Sequence, residues 1–157
     1  MSVWLAWSAI LVLIPCLSFN GRGLRDLVYG SIGPWWLGLL FLSMTVGAFV
    51  AYLAWLHHRR GDLPLVSLLL LSGLFLFLPL SLSMVDERLH FLAFGAFGFF
   101  SMMLFSPLTA LGVVVLTGGL DKLLQWLLPD RVGDWRDVGF NLLAGLGGCS
   151  AAWLGRR

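Results

Sequence analysis

Long apolar runs alternate with short polar segments along the whole chain. Six runs approach the roughly 20 residues that a helix needs to cross the hydrocarbon of a bilayer. Only the dipeptide "SP" separates the fourth run from the fifth, so these two form either a tight helical hairpin or a bent, partly re-entrant unit. The pattern predicts an all-α, polytopic transmembrane bundle in one domain over residues 1–157. The expected spans are about 3–19, 35–56, 63–83, 89–105, 107–128 and 138–154.

Composition supports a membrane location for this bundle. Hydrophobic residues make up 59% of the 157 residues and charged residues 11%, which is more apolar surface than a soluble fold of this length buries. The first run has no Lys or Arg before it, so we expect a retained span rather than a signal peptide. The formal net charge of +2 comes without a basic face, so no nucleic-acid partner is expected.

Six crossings place both termini, the "HHRRGD" segment and the "SP" turn on one side of the membrane. Basic residues are nearly equal in number on the two sides and do not decide the orientation. The acid-poor clusters "HHRR" and "GRR" favour cytoplasmic termini in a cell (inner) membrane. His57 and His58, beside two arginines, are expected to anchor the helix end at the interface.

Three predicted helix ends carry polar residues at helical spacing, and all three meet the interface opposite the termini. Residues three or four apart share one face of a helix, so these pairs are able to converge. Ionisable groups near hydrocarbon are costly and normally pair with one another. The pairs are Glu87 with His90, Asp121 with Gln125, and Asp137 with Asn141, and Arg131 lies in the loop between the last two helices.

The same residues carry a resemblance to a known family. The segments "DERLHF", "DKLLQ", "PDR" and "DVGFNLLAGLGG" occur in order over about residues 84–150. In this respect the chain resembles the VanZ-like family of small bacterial integral membrane proteins, named for a member tied to low-level teicoplanin resistance. The resemblance implies a bacterial cell-envelope protein and adds weight to a site role for His90.

Two positions depart from the family pattern in opposite senses. Glu87 stands where the family usually has Lys, and Lys122 stands where it usually has Glu. The simplest hypothesis is an ion pair between Glu87 and Lys122 with its polarity reversed, because charges in a membrane need partners. The exchange also argues against a mechanism that uses the family Glu as a base.

Each polar residue has a functional and a structural interpretation. His90 is either a general base near neutral pH or a hydrogen-bonding group between helices. Arg131 is either a phosphate clamp or the partner of Asp130, Asp134 or Asp137 in a loop salt bridge. Asp137 is expected to cap the first turn of the last helix, while Gln125 and Asn141 are expected to hydrogen-bond between helices. The weak catalytic candidates are His90, Asp121 and Asp137.

Small residues predict which helices pack closely. Ala144, Gly148 and Ala152 recur every four residues in the last span, and the fourth span has a shorter run over residues 93–98. Such stripes allow helix backbones to approach in a membrane, which would bring His90 toward Asn141. Cys16 and Cys149 have no ligand spacing and are expected to be small buried packing residues.

The chain contains no recognised nucleophile, metal or phosphate-binding motif, and no cofactor is expected. Three hypotheses remain. In the first, the protein is a non-catalytic membrane protein that recognises a lipid or an envelope precursor at an interfacial polar pocket. Alternatively, it is a small assembly subunit that contacts other membrane proteins through its Gly/Ala-rich and aromatic faces, or a membrane-embedded lipid hydrolase or transferase.

Overall fold

Six helices make up nearly all of the described chain. The computed structural model describes residues 2–61, 64–82, 85–128 and 135–156, and no strand occurs within these ranges. The predicted all-helical fold class is confirmed. The helices are α1 (Val3–Ile32), α2 (Pro34–Arg60), α3 (Leu65–Ser81), α4 (Val85–Leu104), α5 (Pro107–Leu127) and α6 (Trp135–Leu154).

Three helices of the described chain are long and apolar enough to cross a membrane by length and composition. They correspond to three of the six expected spans. The other three helices do not meet this criterion. In α4 and α6 the charged and polar residues of the first turn lower the mean hydropathy, and α3 is too short. The three segments that meet it are Val3–Asn20, Trp35–Arg60 and Pro107–Leu127.

Helix α1 continues well past the predicted span end at residue 19. The following segment was expected to be a loop, but it is helical as far as Ile32. Residues 20–32 contain no proline, and the helix ends where Gly33 adopts a φ of 78°. Glycine accepts this left-handed conformation without a steric penalty, and Pro34 then begins α2.

Helices α4 and α5 form a tight hairpin, which was one of the two arrangements expected for this pair. Only Phe105 and Ser106 separate the two helices. The Ser106 hydroxyl accepts a hydrogen bond from the backbone N–H of Thr109 at 3.3 Å, and Pro107 takes the first helical position. A capping side chain followed by proline is a strong start signal for a helix.

Helices α4 and α6 lie in parallel with their backbones in contact. A Cβ atom added at Gly98 would overlap the carbonyl group of Gly145, and one added at Gly148 would overlap the carbonyl oxygen of Gly95. The thiol of Cys149 donates to the carbonyl oxygen of Gly98 at 3.3 Å. The close packing predicted from the small-residue stripes is therefore confirmed for these two helices.

The core is built around α4, which contacts α1, α5 and α6. Phe91, Phe94 and Phe97 recur every three residues along it and are completely buried. Beside them, α3 widens into a π-helical turn at Gly73–Phe77, just before Pro79. Proline lacks an N–H donor and disfavours regular α-helical bonding to the preceding turn.

The start of α1 and the end of α6 lie at one end of the bundle. The ring of Trp4 packs edge-on against Phe105 at 5.7 Å, and Arg156 donates to the carbonyl oxygen of Phe105 at 3.1 Å. Arg60, at the end of α2, donates to the carbonyl oxygen of Leu154 at 3.3 Å. The start of α1, the end of α6, the end of the "HHRR" cluster and the "SP" turn therefore share one end of the bundle.

The two cysteines lie in different surroundings. Cys149 is buried in the packed surface between α4 and α6, whereas Cys16 is exposed. The expectation of a buried packing residue is confirmed for Cys149 and is wrong for Cys16, because the face of α1 that carries Cys16 points away from the bundle.

Candidate functional site

A group of polar side chains lies at the opposite end of the bundle, where α1, α4, α5 and α6 meet. All but Asp137 are buried, and Asp137 is about a third exposed, with 35% of its side-chain surface accessible. We call this group the polar cluster. Its members are Ser18, His90, Asp121, Lys122, Gln125, Asp137 and Asn141.

Ser18 of α1 is at the centre of the polar cluster and is completely buried. Its hydroxyl donates to Asp121 of α5 and lies 3.2 Å from Nε2 of His90 on α4. The residue thus joins three helices. The sequence reasoning missed it, although Ser18 continues the inward-facing stripe of α1 that contains Trp7, Leu11 and Ile14 at helical spacing.

Asp121 and Gln125 share one face of α5, as their spacing predicts. Gln125 Nε2 donates to Asp121 Oδ2 at 2.9 Å and lies 3.5 Å from the Ser18 hydroxyl. The contact with Ser18 is the interhelical hydrogen bond expected of Gln125. Each carboxylate oxygen of Asp121 therefore accepts a hydrogen bond, and a buried carboxylate is stable only with such partners.

Lys122 pairs with Asp137, and not with Glu87 as the exchanged charges suggested. Its Nζ lies 3.3 Å from Asp137 Oδ2 and 3.4 Å from Gln125 Oε1. The start of α6 lies beside the end of α5, so Asp137 is the carboxylate that Lys122 reaches. Glu87 is half-buried at the start of α4 and is not a partner of Lys122 within the described ranges.

Asp137 also differs from its predicted role as a helix cap. Helix α6 begins at Trp135, so Asp137 lies inside its first turn. A carboxylate there still interacts favourably with the positive end of the helix dipole. Its side chain serves as the partner of Lys122.

His90 and Asn141 lie at the same level of the parallel pair α4 and α6. Gly145 lies beside the carbonyl of Phe94, and Cys149 contacts Gly98. The same register, continued one turn toward the helix starts, places His90 level with Asn141. This agrees with the predicted approach of the two residues.

Asn141 does not make the interhelical hydrogen bond that was expected of it. Its side chain is buried, with 6% of its surface exposed, and no hydrogen bond joins it to any side chain in the described part of the protein. A buried amide without a partner is unusual in folded proteins.

Arg131, the proposed clamp in the loop between α5 and α6, lies outside the described residues, as do Asp130 and Asp134. Among the residues that the structure does describe, no group of three or more His, Cys, Asp or Glu side chains is placed to hold a metal ion.

The hydrogen bonds of the polar cluster do not activate Ser18 as a nucleophile. A nucleophilic serine donates its proton to the imidazole that acts as its base. Here the Ser18 hydroxyl donates to Asp121, so its proton is not directed at Nε2 of His90. The cluster is better arranged for binding polar groups than for covalent catalysis.

Comparisons of the chain with protein-family models, with curated proteins and with solved structures found no match. The resemblance to the VanZ-like proteins stays a prediction from the motif residues.

Proposed function

We propose that the chain is a VanZ-like integral protein of a bacterial cell membrane that binds a lipid or a lipid-linked envelope precursor by its headgroup, without catalysing a reaction. The observation that carries this proposal is the polar cluster itself. Seven polar side chains from four helices meet at one end of an otherwise apolar bundle, and polar groups in such a place normally mark a functional site.

The proposal includes six membrane crossings. Helices α4 and α6 have 20 residues each, which corresponds to about 30 Å of helix and matches the hydrocarbon thickness. The shared end of the termini and the "HHRR" cluster supports an even number of crossings. We place this basic end in the cytoplasm, so the polar cluster faces the outer interface, where envelope precursors are used.

A membrane-embedded lipid hydrolase or transferase is the second candidate. Ser18 and His90 lie 3.2 Å apart, which is the distance that a serine and its general base require. The hydroxyl would have to turn from Asp121 to His90 before it could act as a nucleophile. That reorientation makes binding without chemistry the better supported function.

Lipid composition of the purified protein tests the proposal. The protein is extracted with its surrounding lipids in polymer particles, and the lipids are identified by mass spectrometry. Gln125→Leu removes three hydrogen bonds of the polar cluster. Thr45→Val is the matched control, because Thr45 is also buried but bonds only within its own helix, to the carbonyl oxygen of Phe41 at 2.9 Å.

We expect one headgroup class to be enriched over the bulk membrane in the wild type and in Thr45→Val, and the enrichment to be lost in Gln125→Leu. Identical lipid compositions in all three proteins would contradict the proposal. A stoichiometric protein partner in place of a lipid would favour the assembly-subunit hypothesis. Turnover of an added lipid that disappears in His90→Ala would favour the enzyme.

A further inference from the structure

We propose that the headgroup bound at the polar cluster is uncharged and carries hydroxyl groups, as a glycosyl or glycerol headgroup does, and that Asn141 and Lys122 bind one of these hydroxyls. This inference rests on the proposed function and names the chemical class of its ligand.

The charged residues Lys122, Asp137 and Asp121 of the polar cluster already have partners. Lys122 Nζ pairs with Asp137 at 3.3 Å, and the carboxylate of Asp121 accepts hydrogen bonds from Ser18 and Gln125. An anionic headgroup would meet these two carboxylates. A cationic headgroup would compete with Lys122 for Asp137. The anionic headgroup would add an unmatched negative charge to a poorly hydrated region, and the cationic headgroup would displace a group that is already paired. Both changes are costly.

Hydrogen-bonding capacity remains after these contacts are made. An ammonium group has three N–H donors, and Lys122 uses two of them, on Gln125 and Asp137. The amide of Asn141 has two donors and one acceptor, and none of them is used by the described part of the chain. The polar cluster therefore lacks a neutral partner that both accepts and donates hydrogen bonds, and a hydroxyl group is such a partner.

Lys122 and Asn141 lie about one helical turn apart along the facing surfaces of α5 and α6. Asp137, which contacts Lys122, lies one turn before Asn141 on the same face of α6. One turn before Lys122, Gly118 lies against the side chain of Leu142. Because α5 and α6 run antiparallel, these two contacts place Asn141 about one helical turn from the level of Lys122.

The polar cluster also lies at a depth that headgroup hydroxyls reach. Asp137 is partly exposed and connects the buried members with the surface. Trp126, one turn beyond Lys122, has 51% of its surface exposed, and tryptophan is enriched at the level of lipid headgroups. A glycosyl or glycerol group enters from the Asp137 side and extends one hydroxyl toward Asn141.

Binding to lipids of defined headgroup tests the inference. The purified protein is placed in nanodiscs of phosphatidylcholine, alone or with added monoglucosyl diacylglycerol, phosphatidylethanolamine or phosphatidic acid. Sugar-based detergents are avoided because their headgroups would occupy the site. Bound lipid is measured by native mass spectrometry, and stability by the melting temperature, for the wild type, Asn141→Leu, Lys122→Met and the control Thr45→Val.

We expect the wild type and Thr45→Val to retain the glucosyl lipid in preference to the other two added lipids. Asn141→Leu should bind it about tenfold more weakly, because one hydrogen-bonding group is lost, and Lys122→Met should weaken binding in the same direction. In phosphatidylcholine alone, Asn141→Leu should melt at or above the wild-type temperature, because it removes an unsatisfied amide.

Three other outcomes would contradict the headgroup class, the two binding residues or the proposed function. Preferential retention of phosphatidic acid or phosphatidylethanolamine that depends on Asn141 would overturn the hydroxyl class and leave the proposed function standing. Glucosyl lipid retained equally by the wild type, Asn141→Leu and Lys122→Met would overturn the assignment of the two residues. Equal retention of every lipid by every variant would overturn the proposed function as well.

Discussion

Removing the carboxylate of Asp137 should destabilise the protein more than removing the ammonium group of Lys122, although the two groups form one ion pair. The reason is their unequal burial. The side chain of Lys122 is 6% exposed and that of Asp137 is 35% exposed. A lysine left alone stays in a poorly hydrated site, whereas an aspartate left alone turns toward water.

The magnitudes follow from this difference. Breaking a fully buried pair costs about 3–5 kcal/mol, and the partial exposure of Asp137 reduces the expected cost of Asp137→Asn to about 2–3 kcal/mol. Lys122→Met removes the buried charge itself and fills its space with an apolar chain. Its cost is about 1 kcal/mol, mainly because Gln125 Oε1 loses its donor.

Unfolding of the purified protein in mixed micelles of increasing SDS content, followed by tryptophan fluorescence, measures both free energies. A charge exchange then identifies the partner. Lys122→Glu combined with Asp137→Lys should recover much of the stability that either single change loses, whereas Lys122→Glu combined with Glu87→Lys should not. Equal costs for Asp137→Asn and Lys122→Met, or rescue through Glu87, would refute the reasoning.

Two further changes probe the fold and the polar cluster by the same unfolding assay. Gly148→Ala should cost about 3 kcal/mol or more, because its new methyl group overlaps the backbone of α4, while Gly47→Ala, whose methyl group would meet open space, should be neutral or slightly stabilising. Equal effects of the two would contradict the backbone contact. Ser18→Ala should cost about 1.5–3 kcal/mol, because the buried carboxylate of Asp121 loses a donor, and an effect no larger than that of the exposed-site change Ser43→Ala would contradict the central position of Ser18.

Helical spacing was enough to predict much of the polar cluster. Asp121 and Gln125 share a face because four residues make about one turn, and the structure places them 2.9 Å apart. The small-residue stripe of α6 predicted its contact with α4 for an equally local reason, since only a face with few side chains admits another backbone.

The sequence pattern could not predict which carboxylate pairs with Lys122. Glu87 and Asp137 both start helices at the same end of the bundle, so the sequence offers Lys122 two carboxylates. Which one it meets depends on the rotation and depth of α5 relative to α4 and α6. Ser18 was missed for a related reason, because a single serine in an apolar run shows no partner until α1 is placed against α4 and α5.

The glycine contact and the polar cluster are mechanically linked through α4 and α6. Where side chains separate two helices, sliding by a fraction of a turn is absorbed by rotamer changes, but the contact of Gly98 with Gly145 joins backbone to backbone. Each residue of slip would move one helix by about 1.5 Å along the other, which is enough to break a hydrogen bond. The small-residue stripe, which begins about one turn from His90 and Asn141, therefore holds these two residues at one level. Substitutions in the stripe that leave the protein folded should therefore weaken binding of the proposed headgroup without contacting it.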